Sequence, residues 1–250
     1  MKAKLFALFF AVAFNFANPA LAEDTRFFEL RIYSAAPGKL DDLNARFRNH
    51  TTALFEKHGM ENIGYWVPAD NQQNKLIYIL AYPSREARET SWKAFGADPE
   101  WKTVVKESEA KGKLVTKVES TFMKATDYSP AIKPAKVEPP RLFELRTYTT
   151  HEGRLPALHK RFRDHTIKLF EKHGITNFGY WTPADKRNTL IYLLAHKNQD
   201  AAKTSWAGFR ADPDWEKARQ ASEADAGGPL TISGGVNSEF LAPTDYSPTK

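Results

Sequence analysis

The 250-residue chain contains no cysteine. Disulfides, thiolate zinc sites, iron–sulfur clusters, thioether-linked haem and a cysteine nucleophile are therefore excluded together. Also missing are a Gly-rich phosphate loop, His-Glu-x-x-His, Gly-x-Ser-x-Gly and a calcium-binding loop, so no recognised catalytic or metal motif is present. Basic residues outnumber acidic ones, 36 to 30, but they are interleaved with acids. No Lys/Arg run tracks a nucleic-acid groove, and no nucleic-acid partner is expected. Beyond the N-terminus no apolar run approaches the roughly 20 residues of a bilayer span.

The first 22 residues have the three parts of a secretory signal. Lys2 and Lys4 charge the start, Leu5 to Ala17 is apolar, and Ala20-Leu21-Ala22 supplies the small-x-small cleavage pattern after Asn18-Pro19. Cleavage after Ala22 and a periplasmic location are expected, with no membrane-spanning segment left.

What is present is a repeat. Phe27–Asp70 aligns with Leu142–Asp185 at a shift of 115, with 26 identities in 44 positions. The match includes FELR at Phe28–Arg31 and Phe143–Arg146, LFEKHG at Leu54–Gly59 and Leu169–Gly174, and GYW at Gly64–Trp66 and Gly179–Trp181. It resumes with Ser-Trp at 91–92 and 205–206, then Ala-Asp-Pro at 97–99 and 211–213. Each copy closes on Thr-Asp-Tyr-Ser-Pro, at 126–130 and 244–248. The domains are thus residues 23–130 and 141–250, joined by a Pro-rich linker at 131–140.

Within a copy the hydrophobic period switches in a readable order. Phe28, Leu30 and Ile32 alternate with Glu29, Arg31 and Tyr33, which predicts a half-buried strand. Leu43, Phe47, Leu54 and Phe55 have helical spacing over 40–58, and Gly59 suits the C-terminal cap. Residues 61–67 and 76–82 predict strands. Ser84 caps a second helix, Asp98-Pro99 starts another, and 115–123 is the last strand. The order β-α-β-β-α-β predicts a ferredoxin-like α+β unit with both helices on one sheet face. The other face needs cover. Two such repeats packed sheet to sheet, as a pseudo-two-fold α+β barrel, would supply it inside one chain, and a swapped homo-oligomer is the alternative. Glu29, Arg31 and Tyr33 are expected on that inter-sheet face, converging with Glu144, Arg146 and Tyr148.

The motifs FELR-x-Y, LFEKHG and GYW and the Trp-Phe-Asp-Pro-Trp series resemble the NIPSNAP family over nearly all of 26–130 and 141–248. The resemblance implies the dimeric α+β barrel superfamily, which also contains haem-degrading monooxygenases and small-molecule enzymes; it implies no settled activity.

His50 and His165 are the candidate catalytic side chains, either as acid/base groups or as axial haem ligands. On a regular helical wheel each falls on the sheet-facing side, between Phe47 and Leu54 or between Phe162 and Leu169. Arg46 and Arg161 lie one turn earlier. Arg31, Tyr33 and Arg146, Tyr148 are candidates for orienting an anion. Tyr65, Trp66, Trp92 and Tyr180, Trp181, Trp206 are candidates for an aromatic pocket, although aromatics at this spacing also build cores. His58 and His173 suit a helix C-terminus. The expected function is binding of a small, largely apolar molecule between helices and sheet. The alternatives are a cofactor-independent or haem-linked oxidoreductase or isomerase, and an envelope interaction module. His151, His159 and His196 occur only in the second copy, which favours it as the functional one.

Overall fold

The computed structural model describes residues 24–250, so the expected signal peptide lies outside the described residues. The first copy runs β1 (Phe27–Ala35), α1 (Leu40–Arg46), a π-helical turn (Phe47–Thr51), α2 (Thr52–Lys57), β2 (Glu61–Pro68), β3 (Lys75–Tyr82), α3 (Arg85–Ala97), α4 (Pro99–Ser108) and β4 (Val115–Ala125). The second repeats it as β5 (Leu142–Thr150), α5 (Leu155–Arg161), a π turn (Phe162–Thr166), α6 (Ile167–Lys172), β6 (Thr176–Pro183), β7 (Thr189–His196), α7 (Gln199–Ala211), α8 (Pro213–Asp225) and β8 (Thr231–Pro243). The expected caps are in place. Ser84 Oγ accepts from the Ala87 N–H at 3.1 Å, Asp98 Oδ1 accepts from the Glu100 N–H at 2.8 Å, and Gly59 takes the left-handed conformation after α2.

Each copy forms an antiparallel four-stranded sheet, and the two sheets join edge to edge into a closed barrel in the order β1-β3-β2-β8-β5-β7-β6-β4. The α+β fold of two βαββαβ halves is as expected. The joints are short, β4 pairing with β6 over Met123–Ala125 and β8 with β2 over Leu241–Pro243. Beyond each joint the Thr-Asp-Tyr-Ser-Pro tail crosses to the other copy. Tyr246 packs into the first helical layer and donates to Asn44 Oδ1 at 2.8 Å, while Tyr128 packs into the second and pairs with His159 Nδ1 at 2.7 Å. Arg48 clasps Asp245 with two bonds, as Arg163 clasps Asp127. Ser247 and Ser129 accept from the backbone N–H of Tyr65 and Tyr180. The duplicated tail is therefore a reciprocal clasp between copies.

Three apolar cores result: the barrel interior, and one layer beneath the helices of each copy. Here the strand faces are the reverse of the expectation. Phe28, Leu30 and Ile32 face the barrel interior, and Glu29, Arg31 and Tyr33 lie under the helices of their own copy, apart from Glu144, Arg146 and Tyr148. The reason is polar satisfaction. The barrel interior is built from strand side chains of both copies and is largely apolar, whereas the helical layer brings Arg88, Trp92 and Tyr82 to the Glu29 carboxylate.

The GYW motif spans both layers. Tyr65 and Tyr180 are buried beneath the helices, bonded to Asn62 and Asn177. Trp66 and Trp181 fill the barrel interior. Residues two apart share a strand face, and a Cβ at Gly64 would lie 2.2 Å from the Trp66 ring. The glycine is needed because the indole folds back over it. The linker carries Ile132, fully buried in the barrel core, and is held by the Arg26 guanidinium donating to the Ile132 carbonyl at 2.6 Å.

Candidate functional site

Beneath the helices of the first copy lies an unfilled space of about 230 Å³. It is lined by Tyr33 from β1, Arg46, Phe47 and Thr51 from α1 and the π turn, Phe55 from α2, Trp92, Phe95 and Gly96 from α3, and Trp101 from α4. Aromatic edges and faces form its walls, with Phe95 and Trp101 centroids 4.4 Å apart. Among its lining residues Tyr33 and Thr51 carry hydroxyls, Arg46 a guanidinium, and Trp92 and Trp101 indole N–H groups. Thr51 Oγ1 donates to the Arg46 carbonyl at 3.2 Å, across the π turn, and Thr166 does the same for Arg161.

That turn decides which side chains face inward. A π turn holds one more residue than an α turn, and it brings Arg46 and Thr51 inward while His50 is exposed. His165 is exposed for the same reason. Neither histidine lines the aromatic space; each sits on the rim of an outer groove against α4 or α8. This corrects the wheel reading, which assumed a regular helix. The segment Arg-Phe-Arg-x-His-Thr recurs in both copies, and both form the same turn.

The Arg46 side chain is 6% exposed. Its Nη1 donates to Glu109 Oε1 at 3.1 Å and Ser108 Oγ at 3.4 Å, and the guanidinium lies 5.3 Å from the Trp101 ring centre. Its Nε–H is buried with no partner.

Behind the space lies a buried ionic network. Glu29 accepts from Arg31 at 2.5 Å, from Arg88 at 2.9 and 3.0 Å, from Ser120 at 2.6 Å, from Tyr82 at 3.0 Å and from Trp92 Nε1 at 3.2 Å. Burial pushes its carboxyl up, but the Arg88 bonds, the Arg31 charge and the Ser120 hydroxyl outweigh it and bring it down to about 2. Arg31 donates in turn to the Tyr78 and Tyr33 hydroxyls and stacks on Trp92, 4.3 Å from the ring centre. Arg31 thus supports two walls of the space without lining it.

In the second copy Glu144 accepts from Arg146, Ser238 and Trp206, with His196 Nε2 at 2.9 Å where the first copy has Tyr82. Ala202 stands in place of Arg88. Burial again raises the carboxyl, and His196, Arg146 and Ser238 bring it to about 2. Arg146, Tyr148, Arg161 and Trp206 are arranged as in the first copy, but Arg210 replaces Gly96, and Trp206 is buried where Trp92 is half-buried. The aromatic space described above lies in the first copy, the histidine-poorer one.

Of the other candidates, Tyr65, Trp66, Tyr180 and Trp181 are core side chains. His58 and His173 do more than face a helix end: each pairs with the aspartate capping the last helix of its copy, His58 with Asp98 of α4 at 2.7 Å and His173 with Asp212 of α8 at 2.6 Å.

Two βαββαβ halves closed into one eight-stranded barrel, with helices outside it, define an α+β barrel of the kind that single-unit chains complete by dimerising. The chain belongs to the NIPSNAP family, whose model matches it twice, over residues 28–130 and 143–248. The whole architecture is shared with solved structures. A candidate monooxygenase of Fusobacterium nucleatum aligns over 88% of this chain and 92% of its own, with TM-score 0.62 and 9% identity. A second candidate monooxygenase, from Lactobacillus acidophilus, aligns over 88% and 94%, with TM-score 0.57 and 11% identity. An anthrone oxidase-like protein aligns over 89% and 92%, with TM-score 0.53 and 12% identity. At these identities the likeness is one of fold. No curated protein matches the sequence.

Proposed function

We propose that this is an exported small-molecule-binding protein whose ligand, largely apolar, occupies the space between helices and sheet of the first copy. The observation that carries the reading is the aromatic space itself, left unfilled by side chains beside a buried donor without a partner. At about 230 Å³ it is just under the usual range of ligand pockets, roughly 300–1,000 Å³, which suits a molecule of one or two rings. A haem macrocycle needs a much larger slot, and no histidine lines this one. Among the described residues the exposed large apolar side chains are Val118, Val137, Ile232 and Val236, spread over β4, the linker and β8. They make a poor docking patch for an envelope partner.

Gly96 provides the test. A Cβ built there meets nothing within 4 Å, and its backbone is not left-handed, so Gly96→Phe adds a ring at the pocket wall without forcing the helix. Native mass spectrometry of protein purified from its own source is expected to show a retained small molecule that Gly96→Phe loses. Equal retention by both proteins would sink the reading.

A further inference from the structure

We propose that the aromatic space and the groove outside it form one site divided by Arg46, and that its ligand is an aryl or arylalkyl carboxylate. The inference rests on the small-molecule reading above and adds the ligand's charge. Arg46 lines both volumes, the inner one of about 230 Å³ and an open groove of about 500 Å³ between α1 and α4.

Three features of Arg46 point to an anion. The first is its buried charge, which in the described structure meets one carboxylate, Glu109, at 3.1 Å on a single nitrogen, and Glu109 is itself 27% exposed. A buried guanidinium is stable when its charge is matched and its donors are used. The second is the orphan Nε–H, which Arg161 shares but which at Arg46 stands at the edge of the aromatic space. The Nε and Nη donors of arginine form a planar fork that fits the two oxygens of a carboxylate, whereas a neutral carbonyl uses one donor and leaves the charge unmatched. The third is the setting. On the inner side the guanidinium faces Trp101 in a space also lined by Phe47 and Trp92, which suit a ring; on the outer side the groove carries Lys111 and His50 along with Glu107, while Lys39 is held by Asp42 at 2.8 Å. A carboxylate at Arg46 with its ring inside satisfies all three.

Isothermal titration of the purified protein with 3-phenylpropionate and 2-naphthylacetate, each against its primary amide, tests this. The carboxylates are expected to bind about tenfold or more tighter than the amides, the usual worth of adding charge to a hydrogen bond. Arg46→Gln should erase that preference, lowering carboxylate affinity more than amide affinity, Arg46→Lys should keep part of it, and Arg161→Gln should leave it intact. Near-UV circular dichroism establishes that each variant is folded, and the wild-type comparison stands without them. Equal binding of acid and amide by the wild type overturns the carboxylate assignment and leaves the small-molecule reading standing. A preference that survives in folded Arg46→Gln, or is lost in Arg161→Gln, overturns the role of Arg46. Failure of every probe to bind, with no retained molecule in the native mass spectrum, removes both readings.

Discussion

Replacing Glu29 by glutamine should weaken the protein strongly at neutral pH and hardly at all in acid. Glu29 is fully buried and its carboxyl is held at about 2 against an ordinary 4.5. A carboxyl so depressed contributes roughly 3 kcal/mol to the folded state once it is ionised in both states. The contribution is complete above pH 4.5 and disappears as pH falls toward 2, because the unfolded chain takes up the proton first. The amide of the variant keeps the shape but cannot match the charges of Arg31 and Arg88, which bond the carboxylate at 2.5 to 3.0 Å. Leaving buried cations unmatched costs about 3–5 kcal/mol. Glu144→Gln should cost less, because it strands one guanidinium, Arg146, where Glu29 holds two, Arg31 and Arg88. Urea unfolding of wild type and both variants at pH 7, 5 and 3 measures this. The wild-type advantage over Glu29→Gln should be several kcal/mol at pH 7 and shrink markedly by pH 3. An advantage that does not change with pH, or a larger loss in Glu144→Gln, would refute the account of the network.

Gly64→Ala should cost about 3 kcal/mol, the upper end for overpacking a core, because the new methyl would sit 2.2 Å from a fully buried indole; Gly179→Ala, at 2.6 Å, should cost somewhat less, both read by thermal melting. Ile132→Ala, in the linker, should cost roughly 2–4 kcal/mol like any large-to-small core change, and a value near zero would show that the linker does not plug the barrel. His159 is buried enough that desolvation, then the Arg163 charge, lowers its pKa. The folded state therefore resists protonation, and stability is lost as pH falls below the ordinary value of 6.5. His159→Asn, the residue of the first copy at Asn44, should remove that loss between pH 7 and 5 in urea titrations.

Much of the fold was legible because the duplicated segments carry their own local signals: the alternation at Phe28–Tyr33, the caps at Ser84 and Asp98, and the stop at Gly59. What was not legible depends on the third dimension. Alternation separates two strand faces but does not say which is drier, so it does not place Glu29 and Arg31 beneath the helices. The Thr-Asp-Tyr-Ser-Pro tail was visible as a repeat, but its partners, Asn44 and Arg48 for one tail and His159 and Arg163 for the other, belong to the opposite copy. The π turn defeated the wheel. It is stabilised by one hydroxyl, that of Thr51 or Thr166, which no periodicity registers. Arg46 was legible as a candidate because it precedes a histidine by one turn, and the structure keeps the arginine inside while turning the histidine out.

The repeat makes the barrel nearly symmetric, and the asymmetries gather around the helical layers. Gly96 opens the wall of the first layer where Arg210 stands in the second. Arg88 and Tyr82 surround Glu29 where Ala202 and His196 flank Glu144. In a chain that closes its own barrel, both copies must keep the strands, clasps and buried glutamates, since each completes the other. Only one copy needs to keep an unfilled space, because cavities forgo packing energy. On the reading proposed above, a duplicated chain can keep its first copy open to a ligand while the second serves the barrel, a division of labour that two identical subunits of a dimer cannot make. Arg46→Gln and Arg161→Gln separate the two roles: the first should cost ligand affinity, and the second should leave it unchanged.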